Sequence, residues 1–483
     1  MAQEELMSKV ISGVIWSAIQ KYSAMALSLI SGIVLSRLLT PADFGSIGML
    51  AIFVGLSEVF IDAGFGSALI QKKNPTQEDF STVFFFNLLM AAAIYLVLFI
   101  GAPYIAEFYN MPVLCEVLRV WGLVLFVYSL NIIQLNQIRK NMQFKKLSVI
   151  TLCSSAIALS ITILLAYQGW GIWALVVQNL LAAIIQCAIV WLSTNWHPSL
   201  TFSISAFKSL FSFGFFMFLT HIVRTLSDKI SGLIIGRVYS ASTMGYYSKA
   251  STTEDMASMS ISSVLIQVTY PLYSSIQDDR EQLKNTIKRI TTTLSFVTTP
   301  MICILILIAK PLIVILYSET WLPCVPYFQI LCVAGLAKCL QAVNYQAISA
   351  IGKSKVMFKW ELVKRIIDIT LLILGIALYG IIGLLWSKVV STWIAFIINT
   401  TMVSSHVGYK YYIQYIDLLP VFIVSGLSFM FSYTVASIFN FDLYMDGLVK
   451  MASFFIAYLA WIFIFRPEPL KYLISIKKSL TYK

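Results

Sequence analysis

The sequence predicts an all-α polytopic membrane protein with about fourteen transmembrane helices, and three observations support this fold class. Of the 483 residues, 59% are hydrophobic and only 12% are charged, against roughly 25% charged in a typical soluble domain. Long apolar runs, each near the ~20 residues that an α-helix needs to cross a bilayer core, recur along the whole chain. A pattern in the first half also returns 200 residues later, which indicates two similar halves.

The predicted spans follow the apolar runs in order. The first run comes after MAQEELMSKV, which lacks the basic start of a signal peptide, so we expect it to remain as the first span. The predicted spans lie near residues 11–36, 44–66, 80–102, 113–138, 147–167, 171–193, 209–238, 244–270, 290–316, 325–349, 358–379, 381–404, 415–438 and 446–465. They give a six-helix lobe at 1–200, a second six-helix lobe at 201–405, and two extra transmembrane helices with a basic cytoplasmic tail at 406–483.

The returning pattern is SGIVLSRLLTPADFG at residues 31–45 and SGLIIGRVYSASTMG at residues 231–245. Four residues of the first stretch recur in the second: Ser31, Gly32, Arg37 and Gly45 correspond to Ser231, Gly232, Arg237 and Gly245. Each stretch ends the first span of its half, passes through an outward turn and enters the second span. The alternative is that glycine-containing turns look alike by convergence. A true repeat predicts two lobes related by an axis along the membrane normal, as in several transporter folds.

The basic residues between the spans predict the orientation in the membrane, because cytoplasmic connections carry an excess of Lys and Arg. Alternate connections contain clusters such as the one from Arg139 to Lys146, and the last follows the final span. The opposite connections contain few cations, namely Arg37, Arg237 and Lys310. Both termini are therefore expected in the cytoplasm.

Charge, cysteine usage and loop length exclude several functions. The net charge is +12, but the cations form short clusters between apolar runs, which indicates a topology signal and no nucleic-acid partner. The seven cysteines are scattered singly, without the spacing of a metal site or a disulfide framework. We expect no cofactor and no metal. All connections are short, so no outward loop could fold into a catalytic domain, and we expect no enzyme.

Polar residues recur along the faces of four predicted spans. In span 7, His221, Arg224, Asp228 and Ser231 share one stripe of a helix. The other polar residues on these four faces are Lys229 beside that stripe; Lys249, Glu254 and Asp255 with several serines in span 8; Lys21 with serines in span 1; and Glu58 and Asp62 in span 2. The same places are polar in both halves even where the residue type differs.

These charges are too costly to face lipid. An ionised side chain at the centre of a lipid-facing helix costs about 2.5–3.5 kcal/mol, so the six charges of spans 7 and 8 would together cost on the order of 15 kcal/mol. We therefore expect spans 1, 2, 7 and 8 to turn their polar faces towards one another around a hydrated cavity. The alternative is an internal ion-pair network, for which Arg224 and Asp228 have the required i, i+4 spacing.

Three segments of the first third carry a resemblance to a known family. They are SRLLTPADFG, DAGFGSALIQ and the basic turn NQIRKNMQFKKLS. With their surroundings they resemble Wzx-like polysaccharide exporters of the multidrug/oligosaccharidyl-lipid/polysaccharide superfamily, nearest to the colanic-acid and teichuronic-acid exporter branch. The resemblance covers most of the chain, but in the last hundred residues it is only compositional.

The resemblance implies a flippase of the bacterial inner membrane that moves an oligosaccharide on undecaprenyl diphosphate by alternating access, for cell-surface polysaccharide synthesis. It implies two six-helix lobes with a cationic cavity, in which cations would hold the diphosphate while the lipid tail stays in the bilayer. The candidate cations are Lys21, Arg224, Lys229 and Lys249. The candidate acids, some of which would bind a coupling H⁺ or Na⁺, are Glu58, Asp62, Asp228, Glu254 and Asp255.

Two other functions remain open at this stage. An ion-coupled multidrug exporter of the same superfamily would use Glu58, Asp62 and Asp255 as ion sites, although that branch typically has an acid in its first helix, where this chain has Lys21. A membrane glycosyltransferase or polymerase would need a large extramembrane loop with catalytic carboxylates or arginines, and the sequence contains none.

Overall fold

The computed structural model describes residues 2–439, 441–465 and 470, and throughout this part the regular elements are helical. The helices are α1 (Ala2–Leu38), α2 (Pro41–Asp62), α3 (Phe65–Gln71), α4 (Gln77–Phe108), α5 (Val113–Trp121), α6 (Val124–Lys140), α7 (Phe144–Tyr167), α8 (Ile172–Ser193), α9 (Ile204–Val238), α10 (Ala241–Ser275), α11 (Arg280–Leu307), α12 (Ala309–Tyr317), α13 (Cys324–Ala350), α14 (Ser354–Val407), α15 (Tyr411–Ile438) and α16 (Leu443–Phe465). A short 3-10 turn, Glu319–Trp321, precedes α13. The predicted all-α class is confirmed.

The chain is a multi-pass membrane protein. Within the described residues, eleven helices are long and apolar enough to cross a membrane, or twelve if the bent pair Ile204–Ser212 and Gly214–Val238 forms one span. The basic tail that contributed to the predicted orientation, after residue 465, lies almost entirely outside the described part of the chain.

The chain divides into two compact units, Met1–Ser248 and Lys249–Lys483. In the first unit, α7 packs between α1 and α8, while α6 packs against α4 and α8. The helix α9 lies along α2 and α3, where Phe65 and Leu210 share a buried apolar cluster with Val83 and Ile133. The predicted lobes at 1–200 and 201–405 were defined by a repeat of transmembrane spans, whereas these two units are defined by compactness. The lobes therefore stay a prediction.

The repeated sequence stretches form two similar helix starts. Thr40 caps α2: its hydroxyl accepts from the Asp43 backbone N–H at 3.3 Å, and the Asp43 carboxylate accepts from the Thr40 N–H at 2.9 Å. Ser240 precedes α10 in the same way, since its hydroxyl accepts from the Thr243 N–H at 3.2 Å. Side chains of this kind satisfy the free N–H groups of a first helical turn. The two stretches therefore share a local capping role.

The two helix starts contact each other through glycine. A Cβ atom on Gly45 would lie 1.7 Å from the Ala241 carbonyl oxygen, and a Cβ on Gly245 would lie 1.9 Å from the Pro41 carbonyl oxygen. The two contacts are equivalent in the proposed repeat: Pro41 corresponds to Ala241 and Gly45 to Gly245, so a shift of 200 residues turns each contact into the other. Only glycine permits so close a backbone approach. All four residues belong to the unit Met1–Ser248.

In the second unit, α14 is a helical hairpin. Its backbone leaves the helical region at Tyr379 and Gly380, and Gly380 has a φ of 61°. The arms then run back along each other, so that a Cβ on Gly383 would lie 2.0 Å from the Gly375 carbonyl oxygen. The break falls between the predicted spans 358–379 and 381–404.

The last two helices belong to the core of the second unit. The helix α15 packs on α11 and α16, and α16 also contacts α11 and α12. Phe454 and Tyr458 of α16 lie in one apolar cluster with Phe296, and the Tyr458 hydroxyl donates to the Phe296 carbonyl at 3.0 Å. Gln414 of α15 is fully buried and accepts from Asn344 at 3.3 Å.

Candidate functional site: polar groups inside the helices

Three of the four predicted cations have exposed side chains in the first unit. Lys21 lies on α1, and Arg224 and Lys229 lie on α9. The predicted pair of Arg224 with Asp228 is loose: Nε and Oδ2 are 3.8 Å apart, and the side chains are 72% and 53% exposed. A long, exposed ion pair of this kind contributes little to stability. Arg224 is thus not locked into a structural salt bridge.

The two predicted acids of the first unit lie near the end of α2. Asp62 accepts a hydrogen bond from the Gly66 backbone N–H at 3.0 Å, so this carboxylate stabilises the start of α3. Glu58, one turn earlier, lines a cavity of about 220 Å³ between α2, α6, α7 and α8. The helix of Glu58, α2, packs along α9, which carries Lys229.

The cavity lining is mostly polar although it lies inside a bundle of apolar helices. Besides Glu58, its polar residues include Tyr128, Asn131, Thr151, Ser154 and Gln186. The volume would hold several water molecules at about 30 Å³ each. Such a lining can hydrogen-bond water or a small polar ligand.

The sequence reasoning missed the amide groups of α6. Gln134 is fully buried, and neither its Oε1 nor its Nε2 has a hydrogen-bond partner among the described residues. Asn131 Oδ1 and Asn136 Nδ2 are also buried and have no hydrogen-bond partner among the described residues. Buried amides without partners indicate ordered water or an ion. The signal was present in the stretch NIIQLNQIRK, where amide residues recur inside a predicted span.

In the second unit, Glu254 and Asp255 share a lysine that was not predicted. The Lys338 Nζ atom of α13 lies 2.6 Å from Glu254 Oε2 and 3.0 Å from Asp255 Oδ1. Glu254 is fully buried, and Gly335 makes room for it, since a Cβ there would lie 2.2 Å from Glu254 Oε1. The only sequence signal for this cluster was a single lysine within the apolar span predicted at 325–349.

The fourth predicted cation, Lys249, is buried. Its Nζ atom lies 4.7 Å from the ring centre of Tyr317 and 5.5 Å from that of Trp321. Such cation–π contacts stabilise a lysine that has lost its water. Because only 7% of Lys249 is exposed, the ammonium group is held by the aromatic rings in this conformation.

The structure thus places the predicted residues in separate surroundings. Arg224 lies with Asp228, and Glu254 lies with Asp255 through Lys338. The others are each in surroundings of their own: Lys21, Glu58, Asp62, Lys229 and Lys249. Across the described ranges, no three His, Cys, Asp or Glu side chains converge as a metal site would require.

Comparisons with known proteins identify relatives. A family model described as "Polysaccharide biosynthesis protein" matches residues 34–326. The teichuronic acid biosynthesis protein TuaB of Bacillus subtilis (strain 168) is 22% identical over 73% of this chain and 74% of its own. The succinoglycan biosynthesis transport protein ExoT of Rhizobium meliloti (strain 1021) is 24% identical over 84% of this chain and 80% of its own.

A solved structure shares the fold. The lipid II flippase MurJ, in an inward closed conformation, superimposes with a TM-score of 0.75 and 16% identity over 93% of this chain and 98% of that chain. The resemblance to polysaccharide exporters predicted from the sequence is confirmed. Because the matched segment, residues 34–326, exceeds half of the 483 residues, the chain belongs to the polysaccharide biosynthesis protein family.

Proposed function

We propose that the chain is a flippase that moves an oligosaccharide linked to undecaprenyl diphosphate across the bacterial inner membrane by alternating access. The main support is the fold, which is that of a protein named as a lipid II flippase. A relative of similar length is named as a biosynthesis transport protein. The chain is therefore a transporter in the synthesis of a cell-surface polysaccharide, and not an enzyme.

The exposed cations are the proposed contacts for the diphosphate. A guanidinium has a planar fork of donors that matches phosphate oxygens, and it stays charged at any physiological pH. Arg224 is suited to this role because its pairing with Asp228 is loose. Lys21 and Lys229 are exposed as well. Lys249 would join them only in a conformation that releases it from Tyr317 and Trp321.

We also propose fourteen spans. Eleven helices meet the criteria of length and hydropathy. Counting the two arms of α14 separately gives twelve, and α9 and α10 bring the number to fourteen. The matching caps at Thr40 and Ser240 and the exchanged glycine contacts support the repeat of two six-helix lobes, at 1–200 and 201–405, followed by two extra helices at 406–483.

Deletion of the gene and complementation with variants would test this function. The deletion should stop surface polysaccharide and leave a lipid-linked saccharide on the cytoplasmic face, and the wild-type gene should restore export. Arg224→Ala should insert and accumulate normally but fail to restore export, whereas Arg224→Lys should restore part of it. Asp228→Asn should have a milder effect, because a weak exposed pair is lost.

The outcomes separate the possible roles. A fully active Arg224→Ala/Asp228→Ala double variant would exclude Arg224 as a substrate contact, because a ligand cannot be compensated by removal of its neighbour. If the deletion strain accumulates no lipid-linked saccharide but becomes sensitive to toxic organic cations, the chain is a multidrug exporter and the flippase proposal is wrong.

A further inference from the structure

We propose that the segment 194–212, which we call the strap, stays fixed on α3 and α4 throughout the transport cycle, so that the moving part of α9 begins at Gly214. The strap consists of the connection after α8 and the first arm of α9, Ile204–Ser212. The inference rests on the proposed function, because alternating access needs two parts of the chain that move against each other. It places the boundary between these parts inside the predicted span 209–238 and not at residue 200.

The connection after α8 is held at the start of α4 by an amide and a ring. Trp196 Nε1 donates to Gln77 Oε1 at 2.6 Å, and Gln77 Nε2 donates to the His197 carbonyl at 2.6 Å. The Trp196 ring also packs edge-on against Phe80 and Phe84, with ring centres 6.2 Å and 5.9 Å apart. Because the Gln77 amide uses both its oxygen and its nitrogen, it fixes the connection at two adjacent residues.

Two hydroxyl groups continue this attachment along the next turn of α4. The Ser81 hydroxyl accepts from the Ser199 backbone N–H at 3.0 Å, and the Thr82 hydroxyl accepts from the Ser203 backbone N–H at 3.0 Å. Both Ser81 and Thr82 are fully buried. Separation from α4 would break these hydrogen bonds at a place that water does not reach, which is costly. We infer that the connection moves together with α4.

Aromatic rings attach the first arm of α9 to the same helices. The Phe207 ring centre lies 5.3 Å from that of Phe65, at the start of α3, and 5.3 Å from that of Phe86 on α4. Phe211 lies 6.0 Å from Phe65, and Leu210 is buried in the same apolar cluster. Aromatic pairs at such separations add to the stabilisation from apolar burial. The whole strap is therefore attached to α3 and α4.

The strap ends at a bend of 54° between Ser212 and Gly214. At this bend the backbone of Gly214 meets Gly64, which has a φ of 77° between α2 and α3. A Cβ on Gly64 would lie 2.0 Å from the Gly214 carbonyl oxygen. Because two glycines have no interlocking side chains, one backbone can tilt on the other. Sharp bends at such residues are typical of helices, and a few residues of this kind suffice for a hinge.

The second arm of α9, beyond the bend, is attached more weakly. Thr220 and Ser227 both donate to carbonyls one turn earlier in α9 itself, at 2.9 Å and 2.8 Å. The Phe218 ring packs on that of Phe60 in α2, with ring centres 5.2 Å apart. At the far end the exposed Arg237 donates to a carbonyl of α4, and water can replace this contact. The second arm is therefore the part that can move.

Two cysteine pairs on opposite sides of the bend test this inference. Phe86→Cys/Phe207→Cys joins the strap to α4, and Phe60→Cys/Phe218→Cys joins the second arm to α2; the native ring centres are 5.3 Å and 5.2 Å apart. Each pair is placed in a cysteine-free background, expressed in the deletion strain and linked by a short, reducible bifunctional thiol reagent. Linking the strap pair should leave export unchanged. Linking the second-arm pair should abolish export until the link is reduced.

The single-cysteine variants, treated with the same reagent, are the controls for modification without linkage. Loss of export on linking the strap pair, regained on reduction, would overturn the inference, and so would full export with the second-arm pair linked. Ser81→Cys/Ser199→Cys is an independent strap pair, because the two hydroxyl oxygens lie 2.9 Å apart. A disulfide between these positions should also leave export unchanged.

Linkage of the purified full-length protein in detergent tests the strap without an export assay. Reagents with rigid spacers of increasing length are compared on the two pairs of phenylalanine positions. The strap pair should be linked by the shortest reagent alone, whereas longer ones should also link the second-arm pair, because its two residues sample several separations. The same dependence on spacer length in both pairs would overturn the inference. The expected difference, in a protein whose wild-type gene restores no export, would instead contradict the proposed function.

Discussion

Lys338 neutralises a buried carboxylate in the second unit, that of Glu254. We expect Lys338→Met to destabilise the protein by about 3 kcal/mol, the lower end of the cost of leaving a buried carboxylate without its cation. The lower end applies because the Lys338 side chain is 38% exposed, whereas Glu254 is fully buried. Thermal unfolding in detergent measures the change.

The matching Lys338→Met/Glu254→Gln double variant should recover part of the lost stability, because no carboxylate remains buried alone at position 254. If the double variant is as unstable as the sum of the two single variants, the ion pair is not what stabilises this part of α10 and α13.

The sequence predicted Glu254 and Asp255 but not their partner, for a physical reason. Helical periodicity shows which residues share a face, and it correctly placed Arg224 and Asp228 within reach of each other. It does not show which residue of another helix faces them. Lys338 lies 84 positions from Glu254, and helical periodicity carries no information over that separation.

At the scale of elements, the glycine contact between the starts of α2 and α10 is the feature with the sharpest consequence. We expect Gly45→Ala and Gly245→Ala each to separate these helix starts, because a Cβ would lie within 2 Å of a backbone carbonyl oxygen. A cysteine placed at the buried position Ala241, in a cysteine-free background, should then become accessible to an impermeant thiol reagent. Export should fall strongly if closure of this contact is part of the transport cycle.

Gly101→Ala is the matched control, since a Cβ there meets no atom within 4 Å. It should change neither labelling nor export. Normal export by Gly45→Ala, with increased labelling of position 241, would show that the contact is structural and not a gate.

Element boundaries were predictable where the chain itself carries the signal. The break of α14 at Gly380 agrees with the predicted spans on either side, because glycine at a positive φ interrupts a helix at low cost. The predicted span 113–138 contains two helices, α5 and α6, with Gly122 and Leu123 between them. Both of these residues have backbone angles close to helical values. The interruption is therefore slight, and the pattern of apolar residues in the sequence does not mark it.

At the scale of the whole molecule, some cations predicted as topology signals also cap helices. Lys140 Nζ donates to the Leu69 carbonyl at 3.0 Å, at the end of α3, and Lys146 donates to the Ser193 carbonyl at the end of α8. Lysines suit the last carbonyls of a helix. The fold class and family followed from composition and motifs, whereas these second roles depend on distances that no sequence pattern contains.

These contacts sort the connections of the first unit into two ends. Lys140 and Lys146 join the connections after α3, α6 and α8 at one end, while Arg237 donates to the Phe108 carbonyl and joins the connections after α4 and α9 at the other. These two ends correspond to the two sets of connections that the sequence separates, one rich in Lys and Arg and the other nearly bare of them. We therefore expect the first end, with both termini, to be cytoplasmic, because it holds the clustered Lys and Arg.

Single-cysteine labelling in intact cells decides the orientation. An impermeant thiol reagent should label cysteines at Thr40 and Ser240, both exposed at the starts of α2 and α10, and should leave a cysteine at the exposed Asn141 unlabelled until the membrane is permeabilised. Thr40 and Ser240 occupy equivalent places of the proposed repeat, so they must respond alike. Labelling of only one of the two would contradict the parallel repeat, and labelling of Asn141 alone would invert the whole topology while leaving the repeat possible.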